Sequence, residues 1–185
     1  MGVNGMDRAS EDYITAREIA LAASCGAKIH ICHVSTKGSV NIIRAAKKDG
    51  VRVTCETAPH YFTFTDDKLY LKDADYRMNP PLREESDRAA IEAAVIDGTI
   101  DCIVTDHAPH TADEKADFLT APNGVVGLET SLSVTLTRLY HTGKCTMAGI
   151  ERIMSKNPRK ILGLSELKID AGYPADLTVV DPDLE

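Results

Sequence analysis

The chain has 185 residues, of which 43% are hydrophobic and 26% are charged, as is typical of a globular domain with a substantial core. Its formal net charge of -7 argues against nucleic acid or an anionic membrane surface as the main partner. No apolar run approaches the roughly 20 residues that a membrane-spanning helix needs, and the first residues do not resemble a signal peptide. We therefore expect a protein that acts on small molecules.

The cysteines indicate a reducing compartment. There are five, an odd number, and none forms a C-x-x-C pair. Cys32, Cys55 and Cys102 lie in apolar, strand-like runs, where a thiol behaves as a small hydrophobic group. Free buried thiols in the cytoplasm are the expected state.

Hydrophobic periodicity and turn residues predict alternating helices and strands. Helices are predicted at 10–23, 38–48, 86–96, 129–141, 146–154 and 157–162, and strands at 28–34, 51–56 and 100–105, with a turn and one more apolar strand within 170–181.

This alternation predicts a parallel sheet with right-handed crossovers, which fits either an open doubly wound sheet or a barrel. No G-x-G-x-x-G or P-loop follows a strand, which weakens a nucleotide-binding interpretation. The chemistry at the strand ends favours the barrel.

Three predicted strands lead into a residue that can bind a metal: His33, His60 and Asp106. The carboxyl ends of parallel barrel strands lie on one face, so these side chains should converge there. Metals such as zinc accept imidazole nitrogen and carboxylate oxygen together. A single histidine is more often a surface or core group, but three equivalent positions predict a metal site.

His30 and His33 are three residues apart, which places them on opposite faces of a strand. Only one can then face the site. His33 is nearer the strand end, so we assign it as the ligand and His30 as a packing group or a support for the ligands.

Asp106 is the candidate catalytic residue. A carboxylate beside a metal-activated water can take its proton during attack on a carbonyl and pass that proton to a leaving nitrogen. The alternative, Asp106 as a cap for the following loop, leaves His110 without a role.

His110 and Asn79 are candidate substrate-binding residues, although Asn79 is equally explained as a turn residue before Pro80. Arg83 could pair with an anionic substrate or with its acidic neighbours. The backbone near Gly127 could contact a ligand or belong to a plain flexible loop. Residues 107–128 form a long connection, which is more often functional than idle.

Several motifs, in this order, resemble those of dihydroorotases of the longer bacterial type, within the amidohydrolase superfamily. The resemblance covers essentially the whole chain. The motifs are His33-Val34-Ser35-Thr36, Thr57-Ala58-Pro59-His60, Met78-Asn79-Pro80-Pro81-Leu82-Arg83, Thr105-Asp106-His107-Ala108-Pro109-His110, Val126-Gly127-Leu128-Glu129-Thr130 and Gly172-Tyr173-Pro174-Ala175-Asp176-Leu177.

The resemblance implies reversible, zinc-dependent cyclisation of N-carbamoyl-L-aspartate to dihydroorotate in pyrimidine synthesis. It implies one or two zinc ions held by His33, His60 and Asp106, with Asp106 also as general acid and base. Asn79, His110 and the backbone around Gly127 would then bind substrate. Aspartate transcarbamoylase is an implied partner.

The chain departs from the family pattern because it contains no H-x-H pair, which members carry on the first barrel strand. We therefore expect a partial (β/α) TIM-type barrel: its second half, with about four strands, at residues 1–165. Residues 166–185 would form the return strand of a small β-sandwich domain. The open sheet edges of a half-barrel predict self-association or pairing with a complementing amino-terminal half.

Two alternatives remain from sequence. An allantoinase or hydantoinase-like cyclic amidohydrolase would share the metal ligands and differ in its substrate contacts. A non-catalytic homologue that serves as an assembly partner would explain the missing H-x-H pair, but not the joint presence of His33, His60 and Asp106.

The 185-residue chain alone should bind zinc weakly and show no dihydroorotase turnover, because three ligands cannot build a two-metal site and about half of a barrel wall is lacking. Metal analysis and a turnover assay on the purified chain check this. Normal turnover with full metal content would contradict it.

Overall fold

The computed structural model describes residues 5–183, in which a three-stranded parallel sheet carries the candidate site. The strands are β1 (Ile29–Ile31), β2 (Val53–Thr57) and β3 (Cys102–Ile103), in the order β1-β2-β3. Ile29 is opposite Val53, and Glu56 is opposite Cys102. All three carboxyl ends therefore lie along one edge of the sheet.

Four helices accompany the strands: α1 (Arg8–Cys25), α2 (Lys37–Lys48), α3 (Pro59–Thr63) and α4 (Glu85–Asp97). The Asp7 side chain caps α1 by accepting from the Ala9 N–H, so this helix begins earlier than the sequence indicated. Thr36 caps α2 by accepting from the Ser39 N–H at 3.1 Å.

The carboxyl-terminal helices change their winding along their length. Helix α5 (Ser131–Thr135) continues into a π-helix (Leu136–Tyr140), and α6 (Met147–Glu151) continues through another (Arg152–Lys156) into α7 (Asn157–Ile161). Short 3-10 turns occupy Asp66–Leu71 and Ala74–Tyr76. Among residues 5–183, no helix is both long and apolar enough to cross a membrane.

One face of the sheet is buried under the helices. Val53 and Cys55 of β2 belong to a single apolar cluster with Ile43, Ile91 and Leu139. Thr54 and Glu56 alternate with the buried positions and stay partly exposed. Thr54 and Glu56 therefore lie on the face opposite the core, whereas Thr57 is buried on the same face as Val53 and Cys55.

The structure corrects the expected number of strands. The described residues form three named strands where about four were predicted, and β3 pairs directly with β2. Residues 78–83 join no strand, because Pro80 and Pro81 have no N–H to donate to a ladder.

The apolar segment at 177–181 is likewise outside any strand in the part of the chain that the structure describes. Ile169 and Val179 are 91% and 97% exposed, so this tail lies largely outside the core. It has the composition of a strand and lacks a neighbouring strand to pair with.

Gly38→Ala should destabilise the fold, because a Cβ at this position would collide with the Asp12 carboxylate. Asp12 accepts hydrogen bonds from the Thr36 and Ser39 hydroxyls, so displacing it disturbs the start of α2. We expect a loss of about 1–3 kcal/mol in the free energy of unfolding, measured by urea denaturation. Gly5→Ala is the control, since that position is open; equal midpoints for the two variants would contradict the prediction.

Candidate metal and catalytic site

His33, His60 and Asp106 meet beyond the carboxyl ends of the three strands. Asp106 lies between the two imidazoles: Oδ1 is 3.4 Å from His33 Nε2, and Oδ2 is 3.5 Å from His60 Nε2. His33 follows β1, His60 lies in the first turn of α3 just after β2, and Asp106 follows β3. The parallel sheet thus brings together three side chains that the sequence singled out.

Two of these residues have a backbone conformation that side chains rarely adopt. His33 and Asp106 have φ values of 56° and 49°, in the left-handed region. Inter-strand bonding continues around each turn, since Val34 N–H donates to the Glu56 carbonyl and Val104 N–H to the Thr57 carbonyl, both at 2.9 Å. The neighbouring strand therefore holds these strained turns in place, an arrangement common at functional sites.

The environment of His60 suits a metal ligand. Its side chain is 6% exposed, and burial, with the nearby His33, lowers its pKa to about 4. The imidazole is therefore neutral near pH 7, the form that binds metals. Its buried Nε2 has no hydrogen-bond partner although it faces Asp106. A cation at this point would satisfy both groups, so the residues present fit a metal ion.

Glu56, which sequence analysis did not select, contacts the candidate ligand His33. Its Oε1 is 3.1 Å from His33 Nδ1, although the angle there makes no hydrogen bond. The approach of Glu56 raises the pKa of His33. Burial alone would raise the pKa of Glu56, but contacts with His30 and His33 outweigh it and lower the pKa to about 2. Glu56 is thus an anionic support that orients the ligand.

The expected separation of His30 and His33 onto opposite faces is wrong. Both rings contact Glu56, with His30 Nε2 2.9 Å from Oε2. Strict alternation fails because β1 ends at Ile31 and His33 turns back through its positive φ. His30 remains a support rather than one of the three convergent groups.

The pKa of Asp106 is raised, chiefly by burial, while the His33 charge opposes the shift. A carboxyl group with a raised pKa accepts a proton more readily than one in water. Asp106 can therefore both bind a cation and exchange a proton with a ligand.

The proposed substrate residues make contacts of their own within the protein. Asn79 is exposed, and its segment is tied to α3 by a 2.8 Å hydrogen bond from the Tyr61 hydroxyl to the Pro80 carbonyl. His110 has Nε2 3.1 Å from the Asn123 carbonyl and Nδ1 3.9 Å from a Glu114 oxygen.

The backbone at Gly127 is already bonded within the protein. Its N–H donates to His107 Nδ1 at 3.0 Å, and its carbonyl accepts from Ser131 N–H at 3.0 Å. A Cβ there would collide with the Thr105 carbonyl oxygen, so this close approach requires glycine. His107, which sequence analysis left without a role, thus joins the end of β3 to the far end of the long loop, where it also bridges to Val125.

Within that loop, the Lys115 ammonium group bonds to three backbone carbonyls. Nζ donates to the carbonyls of Ala74, Pro122 and Gly124 at 3.0, 3.1 and 2.5 Å. Burial lowers the pKa of this lysine. The long connection is therefore anchored at both His107 and Lys115.

The turn that carries His33 is anchored by Glu11 of α1. Its carboxylate accepts from the N–H groups of Ser35 and Thr36 at 2.9 and 3.1 Å, and from both hydroxyls. Arg83 is buried beside it, 3.3 Å from Oε2, and also donates to Ser35 Oγ at 3.1 Å. Of the two sequence interpretations of Arg83, pairing with an acid is the one observed, but the acid is Glu11.

Comparison with known proteins is consistent with this geometry. The profile of the amidohydrolase family matches residues 5–185. The dihydroorotase of Trichlorobacter lovleyi is 55% identical over 98% of this chain and 43% of its own length. That of Pelobacter propionicus is 52% identical over 100% of this chain and 43% of its own. The chain thus spans less than half the length of these relatives.

Solved structures superimpose on this chain at lower sequence identity. The dihydropyrimidinase from Brevibacillus agri superimposes with a TM-score of 0.82 at 28% identity, over 89% of this chain and 38% of that one. The L-hydantoinase from Arthrobacter aurescens gives 0.77 at 29% identity, over 83% and 35%.

Glu11→Ala should lower the free energy of unfolding by about 3 kcal/mol, because it strands the buried Arg83 guanidinium and removes the acceptor for two backbone N–H groups. Glu11→Gln is the comparison variant: it leaves Arg83 without an anion, as alanine does, but keeps one acceptor oxygen for the two backbone N–H groups. It should therefore lose about 1 kcal/mol less than Glu11→Ala. Urea denaturation monitored by circular dichroism compares the two, and equal losses would show that the acceptor geometry is not what matters.

Proposed function

Because the chain belongs to the amidohydrolase family, we propose that it contributes the catalytic metal cluster of a dihydroorotase, which interconverts N-carbamoyl-L-aspartate and dihydroorotate. The observation that supports this is the convergence of His33 and His60 on the two oxygens of Asp106, at 3.4 and 3.5 Å. Identity above 50% to curated dihydroorotases supports this substrate over other cyclic amides.

In this proposal His33, His60 and Asp106 hold zinc, the metal that a mixed set of imidazole and carboxylate ligands suits. Family membership implies a metal cofactor, and zinc is our choice for it. A bound zinc ion supplies Lewis acidity toward a carbonyl oxygen and lowers the pKa of water. Glu56 keeps the His33 ring oriented so that Nε2 faces Asp106.

Asp106 is proposed as the general acid and base. In the ring-opening direction its carboxylate takes the proton of the attacking water and delivers it to the amide nitrogen as the ring bond breaks. In ring closure the same carboxyl removes the proton from the attacking nitrogen. Its pKa, raised by burial, brings the carboxyl nearer to the value needed for both transfers.

Asn79 and His110 are proposed to bind the substrate through its amide and carboxylate groups. Their positions support this: Asn79 is exposed, and His110 is partly exposed on the loop that follows Asp106. We do not propose a direct substrate hydrogen bond for Gly127, because its N–H and its carbonyl already bond to His107 and Ser131. Its contribution would be the close backbone approach that places this loop next to Thr105.

We further propose that the three strands belong to the second half of a (β/α) barrel at residues 1–165, with 166–185 entering a small β-domain. The parallel sheet and the superposition on hydantoinase structures support the barrel. The same proposal includes pairing with a complementing amino-terminal half or self-association. It also includes aspartate transcarbamoylase as a partner and a cytoplasmic location. Cys55 and Cys102 are buried as expected, whereas Cys32 is exposed.

A hydantoinase-like activity is the second candidate, because the solved structures cited above are a hydantoinase and a dihydropyrimidinase. It would use the same metal ligands with different substrate contacts. The lower identity to these proteins, 28–29% against 52–55% for the dihydroorotases, ranks it second.

A chimeric enzyme tests the proposal. In it, residues 1–185 replace the matching segment of the Trichlorobacter lovleyi dihydroorotase. We expect the chimera to turn over dihydroorotate, and Asp106→Asn to reduce kcat by about 100-fold or more while the fold is retained, because the proton carrier is lost. Turnover is measured with dihydroorotate, hydantoin and allantoin.

Asp113→Asn serves as the control, since it removes a carboxylate of the same loop that lies outside the proposed cluster. A folded chimera that prefers hydantoin or allantoin would establish the second candidate. A folded chimera without turnover on any of the three substrates would favour a non-catalytic assembly partner.

A further inference from the structure

A second group of metal-binding side chains lies on the open face of the sheet. His30, Cys32 and Glu56 each offer one ligand atom, and these atoms lie within 4.8 Å of one another. His30 and Cys32 are two residues apart along the extended chain, so they share a face. His30 is opposite Thr54 in β2, and Glu56 follows two residues later on that same face. The parallel register therefore assembles an imidazole, a thiol and a carboxylate.

The hydrogen bonds of His30 fix which nitrogen faces this group. The Thr54 hydroxyl donates its hydrogen to the Ile29 carbonyl at 3.4 Å. With that hydrogen engaged, the hydroxyl is placed to accept from His30 Nδ1, 2.8 Å away, and this assigns the proton of the neutral ring to Nδ1. The unprotonated Nε2 points at a Glu56 oxygen 2.9 Å away. Two lone pairs at that distance repel each other unless a positive charge, a proton or a metal ion, lies between them.

Cys32 decides which cation fits. An imidazole nitrogen and a carboxylate oxygen alone would accept many divalent ions, but a thiolate selects borderline and soft metals such as zinc. The Cys32 side chain is exposed in the 185-residue chain, so an ion can reach it from solvent when this chain is studied alone. On binding, the thiol would release its proton to solvent, and the sulfur would become the third ligand. Three protein ligands leave one tetrahedral position for water.

We propose that His30, Cys32 and Glu56 form a binding site for a zinc-like divalent cation, separate from the cluster of His33, His60 and Asp106. The two sites share the Glu56 carboxylate, whose Oε2 faces His30 and whose Oε1 faces His33. This inference does not rest on the proposed function, because it uses only the geometry of β1 and β2.

Cobalt(II) is the probe that separates the two sites, because only the new site contains sulfur. Titration of the 185-residue chain should produce a near-ultraviolet thiolate-to-cobalt charge-transfer band, and zinc should displace it. Cys32→Ser should abolish the band. The matched control Cys25→Ser, which removes another exposed thiol, should leave it unchanged. Thr54→Val, which releases the His30 ring, should weaken cobalt binding about tenfold.

The band should survive in His60→Ala, which disrupts the proposed catalytic cluster and leaves this site intact. Circular dichroism of each variant establishes that the chain is folded. Absence of the band in the folded wild-type chain, or its persistence in Cys32→Ser, would overturn the site and mean that a proton alone bridges His30 and Glu56. Either result would leave the proposed function standing, since that depends on turnover by the chimera.

Discussion

Parallel pairing of β1 and β3 with β2 brings three strand ends to one edge, and every distance in the candidate site depends on it. The strands are short, with three, five and two residues. The sheet persists because Val53 and Cys55 are buried against the helices on one face. Because one face of the sheet packs against the core, the polar side chains Thr54 and Glu56 lie on the other face. From that face Glu56 contacts the candidate ligand His33.

Sequence alone pointed to the three side chains that the structure brings together at the strand ends. His33, His60 and Asp106 could be selected because each follows an apolar run, and parallel strands make their ends converge. The helices at residues 38–48 and 86–96 were also predictable, since hydrophobic periodicity indicates them and Gly50 and Gly98 follow their ends. The extended Pro80–Pro81 segment followed from the chemistry of proline.

Other features depended on contacts between distant residues and could not be predicted. Period-two alternation separated His30 from His33, but the left-handed turn at His33 returns both to Glu56. Glu56 itself carried a weak signal, as the one charged residue of β2. The pairing of Arg83 with Glu11 joins residues 72 positions apart, and nothing local distinguishes it from pairing with Glu84. The strand predicted within 170–181 does not form in the described residues, because this apolar segment has no neighbouring strand to pair with.

The left-handed backbone conformation at His33 and Asp106 lowers the stability of the fold at the two positions where the candidate metal-binding groups are needed. Each such conformation costs on the order of 1–3 kcal/mol for a residue with a side chain. Glycine or asparagine would relieve much of that cost at either position. Selection for thermal stability alone would therefore favour glycine or asparagine at these two positions. Those replacements would remove the metal-binding groups. The persistence of histidine and aspartate on such unfavourable backbone is what selection for chemistry, rather than for stability, would leave behind.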